Sequence, residues 1–316
     1  MQKNTRGREA INWDNMRYFL AVARSQSASA AAKRLDVDHT TVARRIRELE
    51  ASLGTVLFEK SRSGGFTLTT EGQRLRSYAD AMETTLQSAS EQFDGGAHTL
   101  SGHVRIGSTE GFGSFFLAPQ LAYFSEMHPD ISIDLLPVPH FVNLSKREAD
   151  IAILLERPER GQYIHTRLCE YQLRLYGTST YFKKHALIQK ISDIRGHTFL
   201  NYVTDLVFSP ELLYLDRTVP NAKASFCTTS IVAQYHAALQ GTALAILPCF
   251  MAHADPRLTT VLPEQIAITR HFWLCCREDL RKLKRISVLW EYLRKAAELN
   301  REFLLGKSQM MSFPDA

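Results

Sequence analysis

The sequence predicts a multidomain α+β protein: an N-terminal helix-turn-helix, a long connecting helix and a larger C-terminal α/β half. Three observations predict it. The stretch from Ser29 to Leu57 reads as two short helices joined by a tight turn, the second carrying its cations away from its apolar face. Apolar residues then recur at alternating steps of four and three from Leu75 to Phe93, the spacing of a long packed helix. Beyond residue 100, short apolar strand-like runs alternate with helical ones, which implies an α/β sheet.

In chain order, Met16, Phe19, Leu20 and Ala23 keep the spacing of one helical stripe, with Asp14 as the expected cap. Ala31, Ala32 and Leu35 offer a small, closely packable face, and residues 36–38 make the turn. Val42, Ile46, Leu49 and Leu53 form the stripe of the next helix, with Asp38 expected as its N-cap. Thr40, Arg44, Arg47 and Glu48 project to the opposite side. A three-helix unit of this kind places its last helix in the major groove of DNA. An ordinary helical hairpin with a solvated basic face is the alternative. Charge weighs against it: residues 1–70 hold 12 Lys and Arg against 7 Asp and Glu, and the remaining residues hold 26 of each. The whole positive excess lies where phosphate would be met.

Thr70 and Glu71 open the long helix. Leu75, Ala79, Met82, Leu86, Ala89 and Phe93 form a thin heptad seam, read as a dimerisation surface because no other apolar partner is evident nearby. Packing on its own domain is the alternative. Gly95-Gly96 breaks the helix and marks a hinge. Strands are expected at 104–106, 131–136, 151–155, 173–176, 199–203, 243–247 and 272–275, and helices at 115–127, 181–185, 230–239 and 284–298. Ligand sites in such sheets lie at the C-terminal ends of strands. Gly107-Ser108-Thr109-Glu110-Gly111 follows a strand and precedes a helix, so backbone N–H groups and the Ser108 and Thr109 hydroxyls would face a ligand and favour an anion. Glu110, if it points into the cleft, would instead favour an amine or a polar ligand. The run matches neither the dinucleotide fingerprint nor a phosphate loop, so no cofactor is read from it. Tyr202 and Thr204 end a further strand, and Thr228, Thr229 and Ser230 precede a helix, where capping is the competing role.

These residues carry a family resemblance. The run DNMRYFLAVARSQSASAAAKRLDVDHTTVARRIRELEASLGTVLFEKSRSGGFTLTTEG resembles the winged helix-turn-helix of LysR-type transcriptional regulators, and the likeness continues more loosely through GHVRIGSTEGFG, LSKREADIAIL and QGTALAILP. It implies a winged helix-turn-helix over 1–69, a linker and dimerisation helix over 70–94, a hinge over 95–102 and a tail over 306–316. Between them, over 103–305, it implies a two-lobed effector domain like a periplasmic binding protein. Lobe I would take about 103–168 and 270–305, and lobe II about 169–269. The resemblance assigns base reading to His39, Thr40, Thr41, Ala43 and Arg44, phosphate or solvent contacts to Arg45 and Arg47, and a wing contact to Arg62 between strands joined by Gly64-Gly65. Many members carry Ser-Gln-Pro-Ala-x-Ser-Arg where this chain has residues 38–44. Ala43 therefore lacks a hydroxyl that others present, while His39 and Thr40 add donors and a methyl group. The resemblance further implies double-stranded operator DNA and a small-molecule effector as partners, a homodimer or homotetramer, and action on RNA polymerase.

Five cysteines, at 169, 227, 249, 275 and 276, lie in or beside apolar segments without metal-ligand spacing, and Cys227 is the one beside the expected cleft. Their odd number and the lack of a signal segment lead to the expectation of a reducing cytoplasm. No run approaches a membrane span. An α/β enzyme is disfavoured, since no nucleophile elbow or HExxH is present and His103, His128 and His140 sit at element edges. A secreted solute-binding protein is disfavoured by the basic helix-turn-helix. A DNA-binding dimer without an effector stays open.

Overall fold

The computed structural model describes residues 12–60, 65–93, 100–138, 144, 148–158 and 161–315. Arg62, Gly64, Gly95-Gly96 and His140 lie outside the described residues, and of Phe93 only the backbone is described. The chain divides into two compact units, Met1–Gly96 and Ala97–Ala316.

In the first unit, α1 (Trp13–Ser25), α2 (Ala28–Leu35) and α3 (His39–Leu53) enclose one core. The expected stripes are the buried ones: Met16, Phe19, Leu20 and Ala23 from α1, Ala31 and Ala32 from α2, and Val42, Ile46 and Leu49 from α3. Each fully buried large side chain contributes about 1.5–3 kcal/mol. The caps differ from expectation. Asn12, not Asp14, caps α1, its Oδ1 accepting from the Asp14 N–H at 2.9 Å. Asp14 is thereby freed, as a first-turn acid, for an ion pair with α3. Asp38 occupies the N-cap position of α3 but makes no side-chain cap bond. Ser27 caps α2, and Asp36 turns the chain in the left-handed region at φ 54°.

Strands β1 (Phe58–Lys60) and β2 (Phe66–Leu68) pair antiparallel after α3. Glu50 of α3 holds them to the helix, its Oε1 accepting from the N–H of Leu57 at 2.7 Å. Phe58 packs on Phe19 with ring centroids 5.3 Å apart. Helix α4 (Thr70–Phe93) starts beside this hairpin, where the Thr69 hydroxyl accepts from the Gly72 N–H and donates to the Val56 carbonyl. Gly72 is required there, because a Cβ would sit 2.2 Å from the Leu57 carbonyl oxygen.

The α4 seam divides. Ala79 is fully buried in the core of its own unit and Leu75 packs against that core, so these two face inward and are unavailable to a partner helix. The larger apolar partner, α1, lies far back in the chain, which is why packing on its own domain stood only as the alternative in the sequence reading. Met82 and Leu86 remain outside at 43% and 48% exposure, joined by Tyr78 at 69%. Arg24 of α1 completes the junction, reaching Asp80 at 2.8 Å and Glu83 at 2.6 Å on α4.

The second unit is built on β3 (Gly102–Thr109), β4 (Ile131–Val138), β5 (Ile151–Leu154) and β6 (Tyr163–Thr178), then β7 (Thr198–Tyr202), β8 (Lys223–Thr228), β9 (Ala245–Pro248), β10 (Leu258–Val261) and β11 (Ala267–Arg277). Helices α5 (Glu110–Phe112) and α6 (Ala118–Met127) are joined by a π turn, so this helical run begins at Glu110, five residues before the expected start. Then come α7 (Ser179–Lys184), α8 (Tyr214–Thr218), α9 (Ile231–Ala238), α10 (Cys249–Ala252), α11 (Glu278–Arg281), α12 (Lys284–Leu299) and α13 (Arg301–Leu304). Sheet order is β10-β6-β11-β5-β3-β4, with β9 also on β6. One edge of β6 carries β11 and then β10, and its other edge carries β9. Strands β7 and β8 form a separate parallel pair.

Strands β6 and β11 are far longer than the expected 173–176 and 272–275. They run as an antiparallel pair from the β3–β5 side to the β9–β10 side. Their register shifts between Phe272 and Trp273, opposite residues 167–169. The expected lobe boundaries at 168/169 and 269/270 fall in this crossing, inside continuous strands rather than in loops. The expected tail is docked: the Asn300 side chain accepts from the Ser312 N–H at 2.7 Å, Gln120 donates to the Ser312 carbonyl, and Pro314 is buried.

Replacing Gly72 by Ala is expected to lower the stability of the first unit by about 1–3 kcal/mol, because backbone must move to admit the methyl group. Thermal denaturation followed by circular dichroism checks this, and an unchanged midpoint would contradict it.

Candidate functional site

Helix α3 separates its residues into inward and outward sets. Val42, Ile46 and Leu49 are buried, and His39, Thr40, Arg44 and Arg47 are exposed on the outside, with Thr41 and Ala43 half-buried between them. Arg44 pairs with Glu48 at 2.6 Å, and the Arg47 Nε donates to the Ala43 carbonyl at 3.2 Å. Arg45 does not join this surface. It reaches Asp14 at 3.3 Å, donates to the Asn15 side chain at 3.2 Å and lies 5.6 Å over the Tyr18 ring, so it ties α3 to α1. Its side chain stays 27% exposed, so the expected phosphate or solvent contact would compete with these partners. The stripe rule alone could not separate Arg45 from Arg44, because both lie off the apolar face and only the packing of α1 distinguishes them.

The second unit holds a cleft where β6 and β11 cross. Tyr171 and Leu173 of β6 and Phe272 of β11 line it with Thr109, Glu110, Gly111, Phe112 and Leu155 from the β3–β5 side. From the other side come Tyr202, Phe208, Leu212, Tyr214, Thr229, Ile231, Pro248 and Phe250. The aromatic rings are packed together: Tyr171 stacks on Phe272 at 4.4 Å, Phe112 lies 4.2 Å from Phe272, and Tyr202 meets Tyr214 at 6.0 Å. Gly111 lets the walls approach, since a Cβ there would lie 2.8 Å from the Met251 sulfur and 2.9 Å from the Ile231 side chain.

Two hydrogen bonds span the cleft, each from a serine to a carboxylate. Ser230 Oγ caps α9 by accepting from the Ala233 N–H at 2.9 Å and donates to Glu110 Oε1 at 2.9 Å. The capping role expected for Ser230 is made, and the same hydroxyl also bonds Glu110. Ser209 Oγ donates to Glu156, just beyond β5. Burial raises the Tyr202 phenol above the ordinary range, the neighbouring Glu110 charge adding to it, so Tyr202 is a neutral donor at any physiological pH.

Of the expected cleft residues, Thr109, Glu110, Tyr202 and Thr229 line it. Three do not. Ser108, within β3, is buried, with an Oγ that has no hydrogen-bond partner among the described residues. Thr204 is exposed on a 3₁₀ turn. Thr228 accepts from the Ser230 N–H at 3.2 Å, a local turn contact. The strand-end rule fails for Ser108 and Thr228 because alternate residues of a strand face opposite ways, and for Thr204 because β7 ends before it. The reading missed the aromatic lining, whose one local signal is Phe112 directly after the Gly107–Gly111 run, and it missed the Ser209–Glu156 bond altogether.

Burial lifts the Cys275 and Cys276 thiols to about 12 and raises those of Cys169 and Cys249 as well. Cys227 is exposed on β8 and does not line the cleft. Among the described residues no group of three or more His, Cys, Asp or Glu could hold a metal ion, and no helix is long and apolar enough to cross a membrane. Titration of the native protein with a thiol reagent at pH 8 is expected to show one fast-reacting cysteine, Cys227, and all five after denaturation. A Cys227→Ser protein that keeps the fast phase would contradict this assignment.

Comparison with known proteins matches residues 13–73 to the bacterial regulatory helix-turn-helix protein, lysR family, and residues 97–298 to the LysR substrate binding domain. The chain is 27% identical over 274 residues to the Mau operon transcriptional activator of Paracoccus denitrificans, covering 86% of this chain and 91% of that one. It is 24% identical over 261 residues to the HTH-type transcriptional regulator PtxR of Pseudomonas aeruginosa, covering 80% and 82%. Among solved structures it shares its fold with CrgA, a LysR-type transcriptional regulator from Neisseria meningitidis, at a TM-score of 0.56 and 24% identity over 90% of this chain and 99% of that one. With a DNA-binding helix-turn-helix followed by an effector-binding α/β domain, this chain belongs to the LysR family of transcriptional regulators.

Proposed function

We propose that the protein reads a two-fold operator through paired α3 helices, and that a small molecule in the cleft between β3–β5 and β7–β10 resets that reading. The observation that carries the first half is the outward face of α3, where His39, Thr40, Arg44 and Arg47 are exposed. Arg44 and Arg47 make their described contacts within α3, whereas Arg45 reaches α1. Arg44 is the base-reading candidate and Arg47 a phosphate contact. The Arg44–Glu48 pair does not stand in the way: an exposed i,i+4 pair is worth about 0.3–0.5 kcal/mol, and a bidentate guanine contact about 1–3 kcal/mol of discrimination. Arg44 therefore gains by leaving Glu48 for a base.

Tyr78, Met82 and Leu86 support dimerisation through the outer face of α4, with Ala89 continuing the row. Two-fold protein symmetry suits a pseudo-palindromic site. Pairing of effector domains would give a tetramer over two half-sites. An effector would act by favouring one arrangement of the cleft, changing half-site spacing and the access of RNA polymerase. The expected compartment is the cytoplasm.

Arg44→Ala is expected to cost about 1–3 kcal/mol in specific operator binding, while Arg47→Ala lowers the salt slope of log K by about 0.9. Filter binding or fluorescence anisotropy at several salt concentrations separates the two, and unchanged specificity in Arg44→Ala would remove it from the reading set. Leu86→Asp is expected to dissociate dimers in sedimentation. Intact dimers would rule out the outer α4 face as the seam.

A further inference from the structure

The cleft's composition specifies the charge of what it holds. Of its sixteen described lining residues, Glu110 is the one with a formal charge, and no Lys, Arg or His joins it. Its Oε1 is taken by Ser230, and its Oε2 is buried without a hydrogen-bond partner among the described residues. A carboxylate oxygen in that position costs free energy until a donor reaches it. The rings of Tyr171, Tyr202, Phe250 and Phe272 stand around the same space. Aromatic faces attract cations, more strongly when water is displaced.

An anionic ligand meets the opposite situation. It would face the Glu110 carboxylate with no lining cation to offset the repulsion. The positive end of the helical run that starts at Glu110 is already matched by that carboxylate in its first turn. A neutral donor could satisfy Oε2, but a charge-assisted bond is roughly twice as strong and also uses the ring faces.

We propose that the effector is a small organic amine bound as its ammonium ion, with Glu110 Oε2 accepting an ammonium N–H and the aromatic rings enclosing the charge. This rests on the cleft being the effector site. It replaces the anion expected from the Gly107–Gly111 run.

The test is calorimetric titration of the full-length protein with primary alkylammonium ions of one to six carbons, alongside the matched carboxylates and alcohols. Binding is expected in the ammonium series alone, weakened at least tenfold in Glu110→Gln and severalfold in Tyr202→Leu, with both variants first shown to be folded by circular dichroism. Carboxylates or alcohols binding as tightly as the ammonium ions would overturn the proposal, as would ammonium binding that both variants leave unchanged. A carboxylate that binds and shifts the operator footprint would overturn the amine assignment while leaving the cleft as the effector site. No binding in any series, with an unaltered footprint, would overturn both.

Discussion

One partly buried arginine sets the direction in which the connecting helix leaves the DNA-binding unit. Arg24 projects from the last turn of α1 between Asp80 and Glu83 of α4. Burial opposes its charge, yet the two carboxylates outweigh that cost and hold the guanidinium above its ordinary pKa. Removing the arginine would leave two half-buried carboxylates facing each other, a loss that reaches 3–5 kcal/mol in a fully buried pair and is smaller here. Together with Gly72 against the Leu57 carbonyl and Ala79 in the core, this contact fastens the first half of α4 to the helix-turn-helix. In a dimer built on Tyr78, Met82 and Leu86, the separation of two α3 helices would follow from that attachment.

The effector unit works on a different constraint. Its two sides are joined by continuous β6 and β11, with a register shift where they cross, so a bend at that pair would move the two walls of the cleft. Ser230–Glu110 and Ser209–Glu156 hold its sides together. A ligand that engages Glu110 acts on one of these two bonds, and its differential affinity for the two arrangements limits how far it can shift them. Glu110 is thus a contact between the two sides and, in the proposed reading, the charge a ligand would match.

Much of this was legible from residue spacing. The stripes of α1, α2 and α3 and the extent of α12 follow from apolar periodicity, because a helix buried on one side leaves that imprint in its own residues. What depends on residues distant in the chain was not legible. Whether Leu75 and Ala79 face a partner or their own core is decided largely by α1, and how far Arg45 meets solvent is decided by Asp14, Asn15 and Tyr18. Strands β6 and β11 were read as four-residue pieces because their remaining residues carry polar runs such as His165-Thr166-Arg167 and Thr269-Arg270-His271, which break both the apolar run and the alternation. In the cleft, Glu110 and Tyr202 stood out beside strand ends. Tyr171, Phe250 and Phe272 carry no such local mark, because the cleft they line is assembled from separate segments.

The decisive measurement is a footprint of the purified full-length protein on the DNA upstream of its own gene, at physiological salt with excess nonspecific competitor. Two protected half-sites about one helical turn apart or a multiple of it, reduced in Arg44→Ala and retained at reduced salt dependence in Arg47→Ala, are the predicted result. Protection that disappears with competitor, or that is indifferent to Arg44, would contradict sequence reading by α3.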